Sequence, residues 1–375
     1  MKRVLLTGID GFIGHHFAEG ILKNTDWNLV GLSKIDSAST LHRLTDIDLW
    51  SKQFAGRVEF IYHDLRAPLN PYVANRIGPV NYIFHLAAST HVDRSIECPM
   101  EFVQDNVVGT CNLLDYARTL DGLELLSYFS TDEVFGPAPE GVAYKEWDRY
   151  KASNPYAATK AGGEELAYSY FNTYGLPIVI THTMNVFGER QHPEKFIPKV
   201  INAALHGERL FVHSDPSRTK AGTRFYVHAR NVAAAMLFLI GQHEKGVPIL
   251  GDKFNIVGEK EVDNLSLAQF IAKVVGKPLK ADLVDFHSSR PGHDLRYALD
   301  GTKLREMGFQ YPKTFEQSLE KTVQWYVEHP DWLLADFSKA QFAKEAQAFD
   351  ASASLLKRTA KDMARQAEQK VAPGH

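Results

Sequence analysis

Two short stretches carry the residues that could do chemistry. The first, Ser130-Thr131-Asp132-Glu133-Val134-Phe135-Gly136, closes an apolar run from Leu123 to Phe129 that reads as a buried strand. The second, Asn154-Pro155-Tyr156-Ala157-Ala158-Thr159-Lys160, opens what reads as a long helix. A strand ending in Thr, Asp and Glu presents a hydroxyl, an acid and a base at the mouth of a parallel sheet, where ligands sit in open α/β folds. Tyr156 and Lys160 are four residues apart, so a helix puts them one turn apart on one face. An ammonium placed there lowers a phenol pKa from its usual value near 10 and makes the phenol usable as a base. Taken singly, each pattern is equally a polar turn or a solvated helix face. Their order behind a glycine-rich opening gives them weight.

That opening must position them. Val4-Leu5-Leu6 reads as a short buried strand, followed by Thr7-Gly8-Ile9-Asp10-Gly11-Phe12-Ile13-Gly14, with a helix from Phe12 onward. Gly8 allows the tight turn, Gly11 lets backbone approach a pyrophosphate, and Gly14 lets helix pack on strand; the helix N-terminus supplies N–H donors for phosphates. A second strand is expected over Asn28 to Leu32. A carboxylate at its end would bind the ribose 2′-OH of NAD. Here Ser33-Lys34 stand there, with Asp36 two residues later. A hydroxyl beside an ammonium suits a 2′-phosphate, so the reading leans to NADP, with Asp36 able to reverse it. Further strands are expected at Val58 to Tyr62, ending at Asp64-Leu65, and at Tyr82 to Ala88. The Asp64 carboxylate can accept from an adenine amino group, and small Ala87 and Ala88 let the chain pass close to a cofactor. A helix is expected from about Pro99 to Leu120, its Asn106 tying the backbone of the Ser130 strand. Strands alternating with helices mean an α/β fold, a Rossmann-type doubly wound parallel sheet.

The bulk numbers agree. The chain has 375 residues, 44% hydrophobic and 23% charged, with net charge −3. That suits one large domain with an appended lobe, and gives no reason to expect a nucleic-acid or membrane-surface partner. Cys98 and Cys111 are too few for a disulfide framework. No apolar run approaches the roughly 18 residues needed to span a bilayer. A cytoplasmic location is the expectation, and no metal site is expected.

The residues quoted, with Leu86-Ala87-Ala88, His91-Val92-Asp93-Arg94-Ser95, Pro193 to Pro198 and Arg290 to Ala298, resemble the extended short-chain dehydrogenase/reductase superfamily. Within it they resemble the nucleotide-sugar 4,6-dehydratases, over about residues 2 to 330. The resemblance implies tightly held NAD(P), contacted by Gly8, Asp10, Gly11, Phe12, Ile13, Gly14, Ser33, Lys34, Asp64, Leu65, Leu86, Ala87, Ala88, Tyr156 and Lys160. It implies that Tyr156, helped by Lys160 and Thr131, takes the proton of a sugar 4-OH while hydride leaves C4. Glu133 then removes the C5 proton, protonated Asp132 donates to the departing 6-OH, and hydride returns to C6. It further implies a nucleotide-diphosphate sugar held by Ser89, His91, Asn185, Glu194, Lys195, Arg224, Arg290 and Arg296, and a homodimer built on helices near residues 100–119 and 157–174. Leu166, Tyr170 and Phe171 are compatible with that interface and equally with ordinary core.

The expected division is a cofactor domain over 1–180 carrying the catalytic residues, a substrate lobe over 181–335 with some segments returning, and a helical extension over 336–375. In the extension, Phe342, Phe349, Leu355, Leu356 and Met363 fall at helical intervals. Departures from the family pattern fall at Ser33, at Arg218 to Arg224 and at Asn231, so the nucleotide base is left open among dTDP, UDP, GDP and CDP. Two rival readings stand beside the dehydratase. A nucleotide-sugar 4-epimerase or decarboxylase needs neither a 6-OH acid nor a C5 base, which Asp132 and Glu133 argue against. A non-catalytic NADP-binding sensor or scaffold needs no intact Thr131, Tyr156 and Lys160.

Overall fold

Strands buried on both faces are near-continuous runs of apolar residues, and such runs alternate with helical segments along the first half of the chain. The structure is a computed structural model that describes residues 1–34, 40–285 and 296–334. Its strands are β1 (Arg3–Thr7), β2 (Asn28–Ser33), β3 (Val58–Tyr62), β4 (Tyr82–His85), β5 (Leu125–Thr131), β6 (Ile178–Thr183), β7 (Asn185–Phe187), β8 (Arg209–Ser214), β9 (Thr223–His228), β10 (Lys253–Ile256), β11 (Glu261–Asp263) and β12 (Lys280–Asp285). Its helices include α1 (Phe12–Asn24), α2 (Leu41–Asp46), α3 (Pro71–Ile77), α4 (Val92–Glu97), α5 (Pro99–Val103), α6 (Gly109–Ala117), α7 (Pro155–Tyr174), α8 (Phe196–His206), α9 (Ala229–Glu244), α10 (Asn264–Val275), α11 (Thr302–Glu306) and α12 (Phe315–Glu328).

Seven strands form one parallel sheet in the order β10-β6-β5-β4-β1-β2-β3. The chain winds outward from β1 through β2 to β3, then returns to the other side of β1 with β4. The crevice at the C-terminal ends of β1 and β4 is therefore the switch point where such sheets bind ligands. Alternation along β1 splits the core: Val4 and Leu6 pack under α1 and α9, while Leu5 faces α3, α6 and α7. Each such side chain, fully buried, contributes roughly 1.5–3 kcal/mol. β10 comes from beyond residue 181 and pairs with β6, so late segments do return to this sheet. The remaining strands build the lobe: β11-β9-β7 in one small sheet and β12-β8 in another. There α8, α10 and α12 close over a third core that includes Val200, Ile271, Leu319 and Val323.

The helix expected from Pro99 to Leu120 is interrupted: a π turn, Gln104–Val108, joins α5 to α6, and α6 ends at Ala117. Asn106 sits in that turn. Its amide holds the Ser89 carbonyl and the Thr159 hydroxyl, each at 3.0 Å, and its oxygen accepts from Ser89 N at 2.8 Å. It thus ties the loop after β4 to α7, and not the Ser130 strand as expected. Leu166 and Phe171 pack, with buried Tyr170, against this chain's own core. Asp36, Arg290 and the expected 336–375 helices lie outside the described residues. Among the described residues no helix is long and apolar enough to cross a membrane.

Candidate functional site

The turn between β1 and α1 is shaped by what cannot be there. Gly8 adopts φ +71°, and a Cβ on it would stand 2.9 Å from the Ala87 nitrogen. A Cβ on Gly14 would lie 2.0 Å from the Gly8 carbonyl oxygen, so α1 reaches the strand only because residue 14 has no side chain. The loop carries no side chain across the N-terminus of α1, whose first N–H groups are available to an anion. The Asp10 carbonyl behind it accepts from the buried Arg43 guanidinium at 3.0 Å.

From this loop an open cleft runs along the strand ends. Gly8, Asp10, Gly11, Ser33, Lys34, Asp64, Leu65 and Leu86 to Ala88 line it, and so do Ser89 and His91, expected on the substrate side. Phe12, Ile13 and Gly14 belong instead to the start of α1 behind it. A glycine cradle, a helix N-terminus with no side-chain cap and a cleft at the switch point fit a dinucleotide, and these residues would hold it. The lean toward NADP finds no support in the charges. Lys34 Nζ is held by both Asp105 oxygens, at 2.9 and 2.8 Å. Asp64, expected to accept from adenine, is engaged by the Arg66 fork at 2.9 and 2.5 Å.

The reactive side chains converge where β5 ends. β5 pairs with β4 and β6, and its last residue, Thr131, passes into a single 3₁₀ turn, Asp132–Phe135. Thr131 donates to Asp132 Oδ1 at 3.1 Å, while Asp132 Oδ2 is buried with no hydrogen-bond partner. Burial first, then the charge of Glu133, pushes the Asp132 carboxyl up to about 7. A carboxyl that keeps its proton up to about neutral pH, with one oxygen unpartnered among the described residues, can serve as a proton donor. Glu133 Oε2 accepts from the Asn154 amide at 3.0 Å.

α7 presents the other half. Asn154 caps it, accepting from Ala157 N at 2.8 Å, Pro155 occupies its first turn, and Gly175 ends it in a left-handed conformation. Tyr156, Lys160 and Glu164, spaced by four, share its buried face. Tyr156 is not held down by Lys160 in this geometry. Burial, then Glu133 and Asp132, raises the phenol well above its ordinary range, with the nearby Thr131 hydroxyl pulling the other way. The reason is where Lys160 points: Nζ donates to the Phe129 carbonyl at 2.5 Å and lies 4.3 Å over the Tyr128 ring. Burial lowers Lys160 itself to about 7.

The lobe contributes from the opposite side. Lys195 is half-buried; burial lowers its pKa, while Glu133 and then Glu194 push it back up. Arg224 lies near enough to Asp132 to favour its anion and stacks 4.9 Å over Tyr297. His91 caps α4 and meets Glu194 at 3.5 Å. These sit together with the strand-end carboxylates. Asn185 stands exposed on β7. Arg296 is occupied elsewhere: its fork grips Glu261 at 2.7 and 3.0 Å and the Pro139 and Val142 carbonyls at 2.7 Å each. That makes it a tie across the lobe and takes its donors away from a diphosphate.

Residue patterns alone miss three participants. Asn154 was visible only as a helix opener, although Asn before Pro is an N-cap signal. Ser95 accepts from Tyr156 N at 3.1 Å, and Asp105 meets Lys34 across 71 positions. Nothing in their local sequence announces either.

The family model described as GDP-mannose 4,6 dehydratase matches residues 5–322. The dTDP-glucose 4,6-dehydratase of Escherichia coli is 33% identical over 88% of this chain and 95% of its own length. A trifunctional UDP-glucose 4,6-dehydratase/3,5-epimerase/reductase of Arabidopsis thaliana is 34% identical over 88% of this chain, which spans about half, 48%, of that longer protein. Among solved structures, the dTDP-glucose 4,6-dehydratase of Streptomyces venezuelae, with NAD bound, superposes with a TM-score of 0.76 at 32% identity, over 88% of this chain and 98% of that one.

Proposed function

The chain belongs to the GDP-mannose 4,6-dehydratase family of nucleotide-sugar dehydratases, and from that premise we propose that it converts a nucleotide-diphosphate hexose, dTDP-glucose-like, to the 4-keto-6-deoxy sugar. One observation carries the reading. Asp132 and Glu133 stand side by side at the end of β5, one with a buried, unpartnered oxygen and a carboxyl pushed up to about 7, the other held open by Asn154. Epimerisation at C4 has no use for such a pair.

A dinucleotide bound in the cleft would supply the hydride acceptor for C4 and the hydride for C6. The chain's own residues do the proton work. Tyr156, close to Thr131, takes the proton of the 4-OH after releasing its own to solvent; burial raises its pKa, which makes the phenolate a strong base. A 4-ketone acidifies C5–H, and Glu133 removes that proton and gives it back to C5 when the hydride is delivered to C6. Asp132 gives its proton to the leaving 6-OH, so water departs as the C5–C6 double bond forms. Lys195 and Arg224, near the carboxylates, balance the enolate charge as it develops. His91, Glu194 and Asn185 stay on the nucleotide-sugar side of the proposal. NAD, as bound by the Streptomyces relative, is the dinucleotide proposed here. A homodimer along α5, the π turn, α6 and α7 is also part of it.

The test is incubation with dTDP-glucose, UDP-glucose, GDP-mannose and CDP-glucose in turn, each followed by mass spectrometry for loss of one water, about 18 Da, as expected of an acid–base elimination. Water loss from one of them supports the reaction and fixes the base. Epimerised product without water loss from any would overturn the dehydratase reading in favour of a 4-epimerase.

A further inference from the structure

In sheets of this kind the acid that recognises the adenosine ribose stands at the end of the second strand, about 20 residues past the glycine loop. Here that place belongs to Ser33, which is buried, its carbonyl accepting from His63 N at 2.9 Å. Another carboxylate reaches the same mouth from a different element. Asp105, in the π turn, lines the cleft together with Ser33 and Lys34, its side chain only 10% exposed. Lys34 Nζ brackets both of its oxygens, at 2.9 and 2.8 Å, and the Ser89 hydroxyl donates to Oδ2 at 2.5 Å.

We propose that Asp105 is the cofactor-selecting residue of this chain, accepting from the ribose hydroxyls in place of an acid on β2 and favouring the dinucleotide that lacks a 2′-phosphate. The proposal rests on the dinucleotide reading above and deepens it. Three observations carry it. A carboxylate offers about four lone-pair sites, and the three donor contacts on Asp105 leave one for a ribose hydroxyl. A phosphate at that position would bring about −1.5 to −2 of charge against a carboxylate that is mostly out of water. And among the described residues the lysine and arginines lining this cleft are already engaged, Arg94 by Glu101. Lys34 is the bracket on Asp105; Arg66 forks onto Asp64 and stands 3.7 Å from Asp105. Lys34, which in the sequence suggests a phosphate ligand, therefore orients the acid that repels one.

The test titrates wild type, Asp105→Asn, Asp105→Glu and Asp36→Asn with NAD and with NADP, after release of any bound dinucleotide, and records each protein's melting temperature without cofactor. Wild type should prefer NAD. Asp105→Asn should cut that preference by about tenfold to a hundredfold, the worth of one hydrogen bond to a charged group, a change in the NAD-to-NADP ratio that a lower melting temperature from the lost Lys34 pair does not by itself produce. Asp105→Glu should retain part of it. Wild type preferring NADP, Asp105→Asn keeping the full preference, or Asp36→Asn losing it instead would each overturn the assignment. Wild type binding neither dinucleotide would overturn the cofactor reading itself, a result separate from any change in preference.

Discussion

Asn154 joins the two halves of the site: its amide nitrogen donates to Glu133 Oε2 at 3.0 Å while its oxygen accepts from Ala157 N at 2.8 Å. One side chain thus starts the helix that carries Tyr156 and aims the proposed base in the turn after β5. Asn154→Ser keeps a good cap and removes the reach to Glu133. Its stability should fall by no more than about 0.5 kcal/mol in urea denaturation, while kcat for water elimination should fall about tenfold or more with KM little changed. Asn154→Ala should add about 1 kcal/mol of lost capping to the same kinetic defect. Equal kcat in Asn154→Ser and wild type would separate the base from its anchor.

The Asp132 carboxyl makes a prediction with a sign. Its ordinary pKa of 3.8 is raised to about 7 by burial and then by Glu133, so the folded chain holds a proton that the unfolded chain has released between those values. Stability contributed by this group is therefore complete at low pH and declines as pH rises through that window, by at most roughly 4 kcal/mol. Asp132→Asn should be more stable than wild type at pH 8 and no more stable at pH 4. In kinetics, the proton is needed for the departing hydroxyl, so kcat should fall above about 7 and Asp132→Asn should be slow throughout. A melting temperature of Asp132→Asn that tracks wild type across pH 4 to 8 would count against a protonated Asp132.

Below the reactive residues lies a pair that sequence patterns could not reveal. Glu164, fully buried, meets Lys253 at 3.0 Å, His182 at 3.0 Å, Ser130 at 2.7 Å and also Tyr150. It binds α7 to the strand end next to Thr131. Removing one partner of a buried ion pair leaves the other uncompensated, at a cost of about 3–5 kcal/mol, whereas replacing both by apolar residues can be nearly neutral. Glu164→Gln should therefore lose about 3 kcal/mol or more in urea denaturation, and Glu164→Leu with Lys253→Met should recover much of it. If the double variant is as unstable as the single, the loss lies with Ser130, His182 and Tyr150 and not with the charge.

What the sequence made legible divides along a physical line. Strands buried on both faces, the glycine turn and the i, i+4 spacing of Tyr156 and Lys160 are local patterns, and β1, β2, β3 and α7 stand where those patterns put them, while β4 stops at His85, short of the expected Ala88, and β5 runs two residues later than expected, Leu125–Thr131. The direction of a side chain is not local. Lys160 has the right spacing to serve Tyr156 yet donates to Phe129, and Arg296 has the right chemistry for a diphosphate yet grips Glu261. Lys34 looked like a phosphate ligand until Asp105, 71 positions away, occupied it. Each of those outcomes is decided by a partner that only the fold brings near.

The glycines of the first turn should not be equivalent. A methyl on Gly14 would fall 2.0 Å from the Gly8 oxygen and 3.0 Å from the Ile9 Cα, both backbone, so relief requires α1 to move off the strand. A methyl on Gly11 would meet the same oxygen at 3.0 Å, which a few tenths of an ångström of adjustment relieves. Gly14→Ala should therefore lose stability, by about 1–3 kcal/mol as overpacking does, and lose dinucleotide affinity with it, because the N–H groups at the helix start move. Gly11→Ala should fold nearly as well as wild type. If Gly11 is where backbone approaches a pyrophosphate, its affinity for the dinucleotide should still fall, without a matching fall in melting temperature. Titration calorimetry beside thermal melts reads both quantities. A Gly11→Ala protein with undiminished affinity would place the pyrophosphate away from Gly11, and a Gly14→Ala protein as stable as wild type would show that α1 can retreat without cost.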